Sequence, residues 1–112
     1  MHGGSARLKL TLTARPGTVP QIVEALRFLM MATRLEAGCL GCTVWTEEET
    51  DVHYVEEWAS EADMRRRVRS DAFTSLLAVM EAARERPRVR FDFAATTRGL
   101  DYVAEVRECA DS

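Results

Sequence analysis

The tightest constraint on the fold is a change of hydrophobic period near the start of the chain. Leu8, Leu10, Leu12 and Ala14 alternate with Lys9, Thr11 and Thr13, the pattern of a strand with one buried face. Pro16-Gly17 breaks that strand, Thr18 offers an N-cap oxygen, and Pro20 falls in a first helical turn, where its missing N–H costs nothing. Beyond it, Val19, Ile22, Val23, Leu26, Leu29, Met30 and Thr33 recur at steps of three and four. That spacing predicts a helix with a single apolar stripe, which must lie on something flat and apolar. A sheet containing the first strand is the obvious partner.

The remaining chain supplies such a sheet. Glu36-Ala37-Gly38 ends the helix, with Gly38 suited to a left-handed cap. A second strand is expected from about Leu40 to Thr46, an acidic hairpin turn TEEETD over Thr46 to Asp51, and a third strand in VHYVEEW, Val52 to Trp58. Ser60-Glu61-Ala62-Asp63 reads as the capped start of a short helix, polar on most sides. Ser70-Asp71 launches a longer one with Phe73, Leu76, Leu77 and Met80 inward, and Pro87 stops it. Val89, Phe91, Phe93 and Ala95 alternate with Arg88, Arg90, Asp92 and Ala94 as a fourth strand, and Thr97-Arg98-Gly99 separates it from a last extended piece, Leu100 to Val106. The order predicts an α+β fold: a ferredoxin-like split βαβ antiparallel sheet with helices on one face. Strand two carries apolar side chains on both sides, at Val44 and Trp45, so the uncovered face is expected to meet a second copy, with the tail pairing either in its own sheet or with the partner's.

At 112 residues there is room for one domain, and a domain this small gains from burying a face in a homodimer. A net charge of -3 lacks the basic excess of a nucleic-acid binder. No run reaches the roughly 20 apolar residues that span a bilayer, and MHGGSARLKL lacks the apolar core of a secretory signal, so no membrane partner and a cytoplasmic location are expected. Cys39, Cys42 and Cys109 are an odd set, better read as reduced thiols than as a disulfide framework. The first residues hold Gly3 and Gly4 and are expected to stay out of the core, with His2 outside any site.

Candidate chemistry centres on the third strand. Alternation puts Tyr54, Glu56 and Trp58 on one face and His53, Val55 and Glu57 on the other. Trp58 can stack on a flat ring and donate its indole N–H, or serve simply as core. Tyr54 and Tyr102 can donate to a substrate oxygen or stand as half-buried strand tyrosines. Glu56 must reach solvent, pair with an arginine across a dimer, or act as a base. The unperturbed pKa of a histidine suits proton transfer near neutrality, but His53 is expected to face away from Trp58. Cys39 and Cys42 form a CxxC after a helix C-terminus, with no helix dipole to lower a thiol pKa, and Arg65-Arg66-Arg67 with Arg69 reads as a solvated face.

The pieces ARPG (Ala14 to Gly17), EAGCLGC (Glu36 to Cys42), VEEWAS (Val55 to Ser60) and RSDAF (Arg69 to Phe73) resemble, in order and spacing, the antibiotic biosynthesis monooxygenase superfamily of dimeric α/β barrels. The resemblance implies a family-like domain over 7–97, with the glycine-containing segment 1–6 expected to be flexible before it and an extra C-terminal strand and tail expected over 98–112 after it. Its members include cofactor-independent oxygenases of polycyclic phenols, quinol oxygenases and haem-degrading enzymes. The haem type uses a first-strand asparagine and a helix histidine, where this chain has Leu10-Thr11-Leu12 and Arg67-Val68-Arg69. The resemblance therefore implies a cofactor-independent monooxygenase, with no metal and no cofactor, acting on a small phenol- or quinol-type aromatic. Its expected catalytic residues are Trp58, Tyr54 and His53. The expected substrate pocket lies between sheet and helices and is lined by Trp58, Leu26, Met30, Phe73 and Leu77, with Tyr102. The alternatives are a non-enzymatic dimeric ligand-binding or stress-response domain of the same fold, and a dimerisation module with a filled interior.

Overall fold

A computed structural model describes residues 4–94 and 96–108. Strand β1 (Ala6–Thr13) is followed by helix α1 (Val19–Thr33), strands β2 (Cys39–Glu47) and β3 (Asp51–Trp58), helices α2 (Glu61–Arg69) and α3 (Asp71–Met80), strand β4 (Arg88–Asp92), a two-residue strand β5 (Thr97–Arg98) and helix α4 (Asp101–Glu108). The five strands form one antiparallel sheet in the order β2-β3-β1-β4-β5. The first four have the expected split βαβ order, with β5 added beside β4.

Register explains the two faces. Ala6, Leu8, Leu10 and Leu12 of β1 stand opposite Trp58, Glu56, Tyr54 and Val52 of β3, and all eight side chains are buried beneath the helices. Ile22 and Leu26 of α1, Met64 and Val68 of α2, Phe73, Leu76 and Met80 of α3, and Phe91 of β4 complete that core. The other face presents Trp45, His53, Thr11 and Arg88 in one row across the sheet, and Thr43, Val55, Lys9 and Arg90 in the next.

Local signals largely act as their chemistry requires. Ser60 Oγ accepts from Asp63 N–H at 3.1 Å and Ser70 Oγ from Phe73 N–H at 3.3 Å, so both helices are capped. Gly38 has φ +87, the left-handed cap conformation. Thr18 differs: it occupies the N-cap position of α1 but makes no side-chain cap bond. Its hydroxyl donates instead to Arg15 O at 2.8 Å.

Two expectations about the C-terminal part are corrected. The fourth strand ends at Asp92, and Phe93 N–H donates to Thr96 O at 2.8 Å, closing a hairpin into β5. Ala95, like His2 and Cys109, lies outside the described residues. The piece expected to be extended, Leu100 to Val106, is largely helix α4. Alternation of Leu100, Tyr102, Ala104 and Val106 fitted a strand, but the buried set is Tyr102, Val103 and Val106, a three- and four-residue pattern. Arg98 pairs with Asp101 and Glu105 along one side of that helix. Tyr102 packs against Phe91 and Phe93, with ring centroids 4.8 and 5.1 Å apart, and Arg107 Nη1 donates to Val68 O at 3.0 Å. The tail thus docks on its own helices.

Candidate functional site

The side chains of Tyr54, Glu56 and Trp58 share one face of β3, and the structure brings them to a single point. Glu56 is wholly buried, and its carboxylate accepts from Tyr54 OH at 2.5 Å and from Trp58 Nε1 at 2.9 Å. The charge is met by Arg67, 2% exposed on α2, whose Nη2 donates at 2.7 Å and whose Nε lies 3.1 and 3.2 Å from the two carboxylate oxygens. Arg67 also donates to Thr33 Oγ1 at 3.1 Å and to Glu36 at 3.3 Å, and its guanidinium lies 5.5 Å from the Phe73 ring centroid. One side chain therefore ties α2 to α1, α3 and the sheet.

This pair is the main site feature that sequence reasoning missed. Of the alternatives open to Glu56, pairing is the one observed, but with an arginine of the same chain. Arg67 was expected in a solvated run. Consecutive helical residues point about 100° apart, so a run of three spans about 200°, and the inward stripe of α2 takes in the last of the three. Met64, Arg67 and Val68 fall on the inward stripe. The signal was there in the spacing to Met64 together with the need of a buried Glu56 for a cation.

Ionisation follows from this packing. Burial, reinforced by the Glu56 charge, pushes the Tyr54 phenol far above its ordinary range. Burial alone would lower the Arg67 pKa, but the hydrogen bonds and charge of Glu56 outweigh it and hold Arg67 above its usual value. Tyr102 is pushed up to about 12 by burial and the nearby charge of Glu61, to which its hydroxyl donates at 3.3 Å. Burial also raises Cys39, and pushes Cys42 up to about 12, so neither member of the CxxC is poised as a thiolate. Among the described residues, no three His, Cys, Asp or Glu side chains group so as to hold a metal ion.

The other expected pocket residues are placed as follows. Leu26 and Phe73 are fully buried in the same core, while Met30 and Leu77 are half-buried along its margin. Tyr102 lies on the inward face of α4, packed on Phe91 and Phe93. Three surface cavities stand out among the described residues, and none of these touches Trp58. One of about 440 Å³ lies between α1 and α3, against Ala25, Phe28, Leu29 and Val79. The other two, of about 610 and 290 Å³, open on the uncovered face of the sheet. His53 is on that face, as alternation predicted. Its Nδ1 lies 3.3 Å from Thr11 Oγ1, and its ring stacks on Trp45 at 5.0 Å. Glu47 Oε1 is 2.9 Å from Nε2 but off the N–H direction, leaving Nε2 without a hydrogen bond.

Comparison with known proteins agrees with this architecture. Residues 7–79 match the family model described as antibiotic biosynthesis monooxygenase. No curated protein sequence is detectably similar. Among solved structures, a Shewanella oneidensis protein is 22% identical with a TM-score of 0.73, covering 82% of this chain and 92% of its own. A Caulobacter crescentus protein provisionally assigned as an antibiotic biosynthesis monooxygenase is 20% identical with a TM-score of 0.71, covering 84% of this chain and 92% of its own. A Bacteroides thetaiotaomicron protein, provisionally described as an oxidoreductase, is 13% identical with a TM-score of 0.73, covering 82% of this chain and 99% of its own. At these identities the likeness is one of fold.

Proposed function

The chain belongs to the antibiotic biosynthesis monooxygenase family, and from that premise we propose that it is a cofactor-independent oxygenase of small phenols or quinols that works as a homodimer. The observation that supports this reading is the convergence of two hydrogen-bond donors, Tyr54 OH and Trp58 Nε1, at one dry point below apolar side chains of α1 and α3. A substrate held there as its anion passes one electron to O2. The radical pair combines to a peroxide anion, which takes back from solvent the proton the substrate released on ionising, and loss of water from the resulting hydroperoxide leaves the new carbonyl. The protein's part is to exclude water and to hold the developing oxyanion with fixed donors. Substrate would reach Trp58 by parting Met30 and Leu77, the half-buried members of the wall formed with Leu26 and Phe73. His53 faces the other side of the sheet, so it serves the dimer face in this scheme. A second copy would cover that face, where Trp45 is left 38% exposed.

A specific observation favours a second reading, a ligand-binding domain without chemistry. Both donors are already engaged by Glu56, so an incoming oxyanion must compete with a buried carboxylate. Oxygen uptake with a panel of quinols and anthrones, repeated on Trp58→Phe, separates the two. Uptake reduced by the substitution supports the oxygenase. No uptake with any substrate, with an aromatic probe still bound, leaves only the binding domain.

A further inference from the structure

A cavity of about 610 Å³ lies on the uncovered face of the sheet and is lined by Lys9, Thr11, His53, Arg88, Arg90 and Thr97, among others. Its charges are arranged in a way that sheet packing does not favour. Lys9 of β1 stands directly opposite Arg90 of β4, and Thr11 directly opposite Arg88, so three cations occupy two adjacent rows of one face. Like charges directly opposite on neighbouring strands are destabilising. Arg90 shares Asp92 at 3.1 Å, but among the described residues neither Lys9 nor Arg88 has a carboxylate within salt-bridge range. Of the other acids on this face, Glu47, Asp51 and Glu57 lie on the β2 and β3 side, Asp92 is already engaged by Arg90 and Thr97, and the chain as a whole is acidic. The basic cluster is therefore local and not the expression of a basic surface.

We propose that this cavity is a binding site for a small organic oxyanion carrying at least two negative charges, a phosphate ester or a polycarboxylate. Lys9 and Arg88 supply the charge from two strands, Arg90 closes the rim, and the hydroxyl of Thr11, fixed by its bond to His53, supplies a neutral polar contact. About 610 Å³ is room for a drug-sized molecule. The site stands on the opposite side of the sheet from Trp58 and goes beyond the oxygenase reading. A second copy laid over the face would roof the cavity.

The test is calorimetric titration of the full chain with pyrophosphate and, separately, citrate at low salt, comparing wild type with Lys9→Gln, Arg88→Gln and the distant control Arg27→Gln. One saturable site per chain is expected, weakened about tenfold by each site substitution and unchanged by the control. The anion bound more tightly identifies the ligand class, and equal binding of both assigns the oxyanion alone. Each substitution removes one cation from neighbouring like charges and keeps a polar side chain of similar reach, so each variant should fold, and its thermal melt is compared with wild type. If either variant fails to fold, a rise in wild-type melting temperature with pyrophosphate but not with equal ionic strength of chloride carries the same decision. Absence of saturable binding by either anion, or equal weakening in Arg27→Gln, overturns the proposal and leaves the cations as solvated guards of the strand or as counter-charges to a partner's acids.

Discussion

Arg67→Met is the substitution on which the reading of the interior depends most. It keeps the length and the apolar stem but removes the donors at 2.7, 3.1 and 3.2 Å from the Glu56 carboxylate and the bonds to Thr33 and Glu36. Glu56 keeps Tyr54 and Trp58 as donors but loses its only buried counter-charge among the described residues. Removing one partner of a buried pair typically costs about 3–5 kcal/mol, because the other charge is left uncompensated. The two surviving donors place the expected loss near the lower end, about 3 kcal/mol. Against a total of roughly 5–15 kcal/mol for a domain, that is a large share. Glu56→Gln/Arg67→Met should recover part of the loss, because an amide in the same place needs no counter-ion. Urea unfolding followed by far-UV circular dichroism gives the three free energies, provided the m-value is unchanged. A loss below about 1 kcal/mol, the size of an exposed pair, would refute the argument, as would a double variant less stable than Arg67→Met.

Two further outcomes follow from other parts of the molecule. The Cys42 thiol has its folded pKa near 12 against an ordinary 9.0, so the unfolded chain releases this proton first. Stability should then be unaffected below about pH 9 and fall as pH climbs from there towards 12, by at most about 1.4 kcal/mol per unit. Cys42→Ala should flatten that part of the alkaline limb in urea titrations, and an unchanged slope would show that the thiol does not titrate late. Gly38→Ala forces a side chain into φ +87 and brings a Cβ within 2.5 Å of the Asp63 carboxyl. A loss of at least about 1–2 kcal/mol in thermal or urea unfolding is expected, and a neutral result would show that the turn relaxes.

Legibility of the sequence differed between backbone and site. The period change between β1 and α1, the serine caps and Gly38 all act within a few residues, and each was readable because its cause is local. Helix α4 was not, since LDYVAEV satisfies both a two-residue and a 3.6-residue pattern, and only packing of Tyr102 on Phe91 and Phe93 selects between them. The direction of Tyr54, Glu56 and Trp58 follows from alternation alone, as does the opposite direction of His53. Their mutual hydrogen bonds do not. Arg67 is eleven positions beyond Glu56 and on a different element, so their meeting is fixed by how α2 lies on the sheet, which residue types by themselves do not encode.

The short β5 has a consequence for how this molecule meets others. Among the described residues only Thr97 and Arg98 extend the ladder beyond β4, after which the chain leaves the sheet as α4, and the rest of that border carries Arg88 and Arg90. A foreign strand approaching there finds almost no backbone to join. The opposite border is β2, nine residues long and interrupted by a bulge between Cys39 and Gly41. Each molecule therefore offers one usable border. For a single chain, joining through β2 would end at two copies with both outer ends blunt; in the face-to-face homodimer proposed above each copy keeps a β2 border, and its bulge is the feature that discourages further strand addition.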